Sequence, residues 1–289
     1  MSMRQPHSPS IRRRRLSAEL RQARHQQSLT TKQVAQELKW AVGKLSKIEN
    51  SETQTIKAAD LDKLLNLYKV EEVEKREALH QLARDAKERG WWMKYRDVFG
   101  NEALPDFEAE ASTVRAFESQ VIPGLLQTPE YAEAIFRGGR YTDHGVIRRR
   151  VEARMTRREI LTRFDPVHLR AVIDESALLR LIGGREVMAG QLRHLLHMAK
   201  MPHIDVQILP LAAGAHAALT APFTILEFPS PLDPTIVCVE TLNEALYLEL
   251  PEDVQPYIAA FGDIQGSAVS AAQSATIVSK ALKTLESSE

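Results

Sequence analysis

The run Leu20–Asn50, LRQARHQQSLTTKQVAQELKWAVGKLSKIEN, decides how the N-terminal part of the chain folds. Leu20 and Ala23 continue a helical face begun at Leu16, and that helix stops near Gln27. Thr30 or Thr31 then caps a second helix, which turns Val34, Ala35 and Leu38 inward. After a break at Lys39–Trp40 a third helix runs over about residues 42–49 with Leu45 and Ile48 inward, and Asn50–Ser51 ends it. Two short amphipathic helices joined by so brief a break have helix-turn-helix geometry. The second has a size that the major groove of DNA admits, and its outward Lys and Ser side chains can reach base edges.

Outward from this core, residues 1–11 show no apolar periodicity and read as a disordered tail. The basic run Arg12–Arg15 follows, an arm for a minor groove or for phosphates, or simply more basic tail. Leu61, Leu64, Leu65 and Leu67 add a helix or two before Val70, so residues 12–70 form a small all-helical head. The highly charged stretch 71–90 carries only a thin stripe (Val73, Leu79, Leu82, Ala86) and reads as a connecting helix. From residue 91 onward the spacing predicts helices at 107–117, 129–136 and 148–164. Beyond Asp165–Pro166 the period moves towards 2. Short runs at 168–173, 204–209, 223–228, 235–241 and 245–250 read as strands, with a helix at 185–199 and helix again from Pro251 to Leu285. Residues 91–289 are therefore an α+β body with a small antiparallel or mixed sheet.

The chain has 289 residues and a net charge of zero, but that zero is a sum of unlike parts. Residues 1–70 hold 14 Lys/Arg against 6 Asp/Glu, residues 71–164 hold 17 against 17, and residues 165–289 hold 7 against 15. A basic head invites nucleic acid; an acidic tail implies a different partner. One cysteine, Cys238, excludes a disulfide framework and any multi-cysteine metal site. No apolar stretch approaches the roughly 18–20 residues of a membrane span, and no apolar segment follows the basic N-terminus as in a secretory signal. The expected compartment is a reducing cytoplasm, with no membrane partner.

Catalytic chemistry finds only scattered pieces. His194 and His197 lie three apart on a helix but lack a third ligand, so no metal site and no cofactor are expected. No nucleophile elbow, phosphate loop or dinucleotide fingerprint is present, and Gly183–Gly184 reads as a turn. The body is expected to bind rather than to catalyse. Candidate partner or ligand residues are Trp91, Trp92 and Tyr95 as an aromatic rim, and His216, Glu240 and Tyr247 in or beside strands. The tryptophans read equally as a seal at the junction of head and body.

The segment 20–50 resembles the phage-repressor (XRE) class, whose pattern is LRxxRxxxxLTxxxLAxxLxxSxxxxSxxExG. Leu20, Arg21, Arg24, Leu29, Thr30, Val34, Ala35, Leu38, Ser46, Ile48, Glu49 and Asn50 match it or change it conservatively. The resemblance implies a lambda-repressor-like head whose reading helix offers Val42, Gly43, Lys44, Ser46 and Lys47 to the groove. It further implies phosphate contacts from Thr31 and Asn50, and a structural ion pair between Arg24 and Glu49. Gly43 stands where such proteins usually place Ser, Thr or Gln, at a cost of about 1 kcal/mol of helix propensity relative to Ala. Ser51 replaces the usual glycine beyond the helix.

Six further segments resemble, in order, one family of actinobacterial regulators: ERGWWMKY (88–95), VIPGLLQTPEYA (121–132), RRRVEARMTRREIL (148–161), VIDESALLRLIGG (172–184), QILPLAAGAHAAL (207–219) and FTILEFP (223–229). Those regulators join an XRE head to a domain of unknown function, also described as antitoxin-like, and are often encoded beside a small partner protein. The resemblance implies a cytoplasmic, homodimeric transcriptional regulator of double-stranded operator DNA, whose body senses a ligand or binds a small protein. Two alternatives stand beside it: an antitoxin that neutralises a small toxin and autoregulates, and a ligand receptor or enzyme built on the body.

Overall fold

The computed structural model of the chain describes residues 9–41, 43–53, 55–86, 91–99, 103–139, 141–229, 233–241 and 245–287. These divide into two compact units: one of residues up to Lys94 together with Pro105–Glu110, the other of Tyr95–Leu104 and the chain from Ala111 onward.

The first unit holds helices α1 (Pro9–Gln26), α2 (Thr31–Glu37), α3 (Lys44–Glu49), α4 (Ala58–Leu67) and α5 (Val73–Asp85). Their apolar faces meet in one core built from Leu16, Leu20, Val34, Leu45, Ile48, Leu61, Leu64, Leu65, Tyr68 and Leu79. The stretch expected as a connecting helix thus belongs to the head: Leu79 and Ala83 of α5 are core residues, and α5 packs along α1. The expected tail ends earlier than residue 11, because α1 begins at Pro9 and Ile11 is buried. Arg12–Arg15 are not a free arm. They lie within α1 and are half-buried, Arg12 paired with Asp85 of α5 and Arg14 stacked over Phe107 at 4.8 Å.

Each of the first four helices ends with a non-glycine residue at positive φ: Ser28 (55°), Lys39 (53°), Ser51 (59°) and Lys69 (53°). After each, the next N–H reaches back to a carbonyl five residues earlier: Leu29 to Arg24, Trp40 to Ala35, Glu52 to Lys47 and Val70 to Leu65. This is the Schellman ending, which glycine usually serves. Here a side chain stands in the left-handed region all four times.

Helix α6 (Arg96–Phe99) belongs to the second unit, whereas α7 (Leu104–Glu110) returns to the first from Pro105 onward. In the second unit the expected class holds, and the sheet is larger than expected: its further elements are β1 (Thr113–Glu118), α8 (Pro129–Gly138), α9 (His144–Arg157), β2 (His168–Asp174), α10 (Ser176–Leu179), α11 (Gly184–Met198), β3 (Ile204–Leu209), β4 (Phe223–Glu227), β5 (Ile236–Glu240), β6 (Ala245–Leu248), α12 (Pro251–Ser267) and α13 (Ala271–Glu286). The six strands form one mixed sheet in the order β3-β2-β1-β4-β5-β6. β1, β2 and β3 run parallel, while β4, β5 and β6 pair antiparallel.

The helix predicted over 107–117 is corrected: it stops at Glu110, and β1 follows as an interior strand of the sheet. Val114, Ala116 and Phe117 are buried while Thr113, Arg115 and Glu118 are half-buried, so the strand alternates over only four residues before Phe117 breaks the pattern, too short a run to stand out beside the helix before it. One face of the sheet packs Phe117, Val172, Phe223, Ile225 and Val237 against Val254, Phe261 and Ile264 of α12.

Candidate nucleic-acid interface

Local sequence sets each end of the helix pair. Thr30 caps α2: its hydroxyl accepts from Gln33 N–H (3.2 Å), while Gln33 Oε1 accepts from Thr30 N–H (2.8 Å). Helix α3 starts at Lys44, with Gly43 just outside it at φ 91°. Gly43 therefore carries no helix-interior penalty; it supplies a left-handed entry that a side chain would resist. Val42 lies outside the described residues.

Three contacts hold α1 to α3. Arg24 and Glu49 form a two-pronged pair, Nε to Oε1 at 2.8 Å and Nη2 to Oε2 at 2.9 Å. Their side chains are only 9% and 4% exposed. Arg24 Nη1 also donates to the Leu29 carbonyl at 2.6 Å, which ties down the turn before α2. Arg21 donates to the Glu49 carbonyl, and Ser17 Oγ donates to that of Ile48 at 2.6 Å. Beside the pair, burial pushes the Tyr68 phenol well above its ordinary pKa, with the Glu49 charge adding to the effect.

Outside this lock the two helices enclose a groove of about 510 Å³ lined by Thr31, Lys32, Ala35, Gln36, Trp40, Gly43, Leu45 and Ser46. It gathers Thr31, Gly43 and Ser46 from the sequence reading and adds Lys32, Gln36 and Trp40, which that reading passed over. Lys47 is exposed on α3, and Asn50 is exposed at its C-cap. Lys44 is arranged otherwise. Its ammonium bonds Asp60 Oδ2 at 2.9 Å and lies 4.0 Å from the Trp40 ring centroid. An exposed pair contributes roughly 0–1 kcal/mol and a surface cation–π contact about 0.5–1 kcal/mol, so Lys44 is held only weakly in this arrangement, whereas Lys47 stands exposed.

The residues proposed for a partner surface scatter. Trp91 and Trp92 pack edge to face at 6.2 Å, both half-buried. Tyr95, expected at a rim, is instead enclosed at 2% exposure. Its hydroxyl donates to Glu152 (2.8 Å), and its ring lies 4.5 Å from the Arg149 guanidinium, so both its polar and apolar surfaces are already used. Tyr247 likewise serves structure, its hydroxyl accepting from Ala103 and Leu104 N–H at 3.1 and 2.9 Å. His216 sits edge to face on Phe117 at 5.5 Å, and Glu240 is exposed at the end of β5.

His194 accepts from Arg158 Nη2 at 2.8 Å, and burial, with that guanidinium beside it, lowers its pKa to about 4. Among the described residues no group of three or more His, Cys, Asp or Glu is placed to hold a metal. Nor is any described helix long and apolar enough to cross a membrane.

A basic helical head with a two-helix reading element defines a helix-turn-helix DNA-binding regulator, and residues 15–79 match the model of a helix-turn-helix domain. Residues 102–280 match the family model described as a domain of unknown function (DUF5753), and the chain belongs to that family. No curated protein and no solved structure matches it.

Proposed function

We propose that the chain is a sequence-specific transcriptional regulator of the phage-repressor type, acting as a homodimer on two half-sites about one helical turn apart. The observation that carries this reading is the buried Arg24–Glu49 pair, which holds α3 rigidly enough for Ser46 and Lys47 to stand as readers. Lys47 and Ser46 read base edges; Thr31 and Asn50 contact phosphates and set register; Lys44 joins only after leaving Asp60. The C-terminal domain takes the signal, a ligand or a small partner protein, without catalysing a reaction. A small partner protein would meet a part of the chain, residues 165–289, that carries excess acid. A regulator of this kind works in the compartment that holds the DNA.

Selection of random duplexes by the full chain and by its Lys47→Ala variant tests the proposal. A roughly palindromic site enriched by the native chain and lost or relaxed in the variant supports it. Failure of the native chain to enrich any site overturns it.

A further inference from the structure

The carboxyl ends of β1, β2 and β3 lie together because these strands run parallel, and β4 begins at the same end, with Phe223 opposite Phe117. In the order β3-β2-β1-β4 the chain leaving β3 must cross β2 and β1 to reach β4. Its bonds trace that route. Leu211 N–H donates to Glu175 Oε2 at 2.9 Å, just past the end of β2. His216 then lies edge to face on Phe117 of β1 at 5.5 Å, and its Nδ1 accepts from Ala218 N–H at 3.3 Å. Ala218 itself enters the core with Phe117 and Phe223. From β2 the chain continues into α10, where Ser176 Oγ donates to the Ser119 carbonyl, just past β1, at 2.6 Å. Residues 176–184 and 210–222 thus share one end of the sheet.

That end is apolar and exposed. Leu179, Leu181, Leu211 and Leu219 are 60%, 49%, 55% and 61% exposed, and Ala212, Ala213, Ala215 and Ala217 are exposed with them. Of residues 176–184 and 210–222 only Ala177, Leu178 and Ala218 are buried. The remainder comes close to the roughly 20–30 residues a side of a stable interface, and a clustered apolar surface on a folded chain marks an interaction site. Charge selects the occupant. Val206–Leu226 is the longest run in the chain without Asp, Glu, Lys or Arg, although 26% of all residues are charged. Around it, residues 165–289 carry 7 Lys/Arg against 15 Asp/Glu. A basic partner needs counter-charge, which this surface lacks. A second copy of the chain has the opposite need: in a two-fold interface the same surface meets itself, so any run of one charge would face its like. The charges that flank Leu179 in sequence, Asp174, Glu175 and Arg180, are of both signs and can pair across such an axis.

We propose that this end of the sheet is where two copies of the chain meet, with Leu179, Leu181, Leu211 and Leu219 of each copy at the apolar centre of an isologous interface. The proposal rests on the reading of the chain as a homodimeric regulator and gives that dimer its surface. The loop 210–222 is tied down through Glu175, His216 and Phe117, so the patch is formed before the copies meet and association orders little of it.

Sedimentation of the full chain across a dilution series tests the interface. The native chain should run at twice the mass of one chain. Leu211→Glu/Leu219→Glu changes two side chains too exposed for the fold to depend on them. It should weaken dimerisation by about 100-fold or more while the circular dichroism stays native. Leu211→Lys/Leu219→Lys should do the same, and an equal mixture of the acidic and basic variants should recover the dimer, whichever leucine faces which. Leu246→Glu, on the edge strand β6 and at a residue 54% exposed, should leave the dimer intact. A native monomer, a dimer that survives both double changes, a mixture that stays monomeric, or dissociation by Leu246→Glu overturns the interface. DNA selection on the same samples separates the two readings. A chain that dimerises through the patch but enriches no site loses only the regulator, whereas one that enriches a site as a monomer loses only this interface.

Discussion

Replacing Glu49 by Ala strands the Arg24 guanidinium in a site where the pair is 9% and 4% exposed. Both prongs of the pair, at 2.8 and 2.9 Å, vanish together. Arg24 keeps its bond to the Leu29 carbonyl, but a single neutral acceptor does not compensate a buried charge. Breaking such a pair from one side costs about 3–5 kcal/mol. For a unit of this size 1 kcal/mol moves Tm by about 4–8 °C, so the head should melt about 12 °C or more below the native protein. Arg24→Ala should do the same, because it leaves Glu49 without its counter-ion. The double variant Arg24→Met/Glu49→Leu replaces the pair by apolar side chains of similar volume and should lose far less than the two single changes together. Circular dichroism of the full chain against temperature and urea measures all four proteins. If either single change costs under about 1 kcal/mol, or if the losses simply add, the pair does not lock α3 and the rigid reading helix loses its support.

Three further outcomes follow from the same geometry. Lys47→Ala should weaken specific DNA binding by about 1–3 kcal/mol in an anisotropy titration at fixed salt, and Lys44→Ala by about 1 kcal/mol less, since Lys44 must first leave Asp60 and Trp40. Ser51→Gly, which relieves a side chain at φ 59°, should stabilise the head by about 0.5–1 kcal/mol, whereas Gly43→Ala, at φ 91° with open space around it, should destabilise it by about 1–2 kcal/mol through backbone strain alone. His194 is held neutral, with a folded pKa of about 4 below its unfolded 6.5, so the unfolded chain binds the extra proton between those values. Its contribution to stability is complete above pH 6.5 and falls as pH drops towards 4. His194→Gln should flatten the urea midpoint over that window while leaving the pH 8 midpoint nearly unchanged.

Much of the head was legible because its signals are local. Leu16, Leu20 and Ala23, then Val34 and Leu38, then Leu45 and Ile48 repeat at helical spacing, and each entered the core or packed against it. Arg24 and Glu49 were paired by family resemblance, and the structure joins them. What escaped depended on distant partners. The tie of Lys44 to Asp60 spans 16 residues, and neither residue alone announces it. The stripe on α5 was too thin to reveal that Leu79 and Ala83 complete the head core. Gly43 looked like a weak helix residue because only its φ shows that the helix begins after it.

In the body, five strands were placed from β-branched runs between Pro, Gly and Asp. β1 was not, because Phe107–Phe117 joins a helix to a short strand and the apolar spacing of the two blurs.

The most direct measurement compares the affinity of the full chain for its selected operator with that for a scrambled duplex of equal length, at one salt concentration. A reading helix fixed in the groove gives a ratio of about 10³ or more, reduced at a defined base position by Lys47→Ala. Equal affinities for the two duplexes, with a steep salt dependence and no effect of base sequence, would mean that the head holds DNA only through its charge.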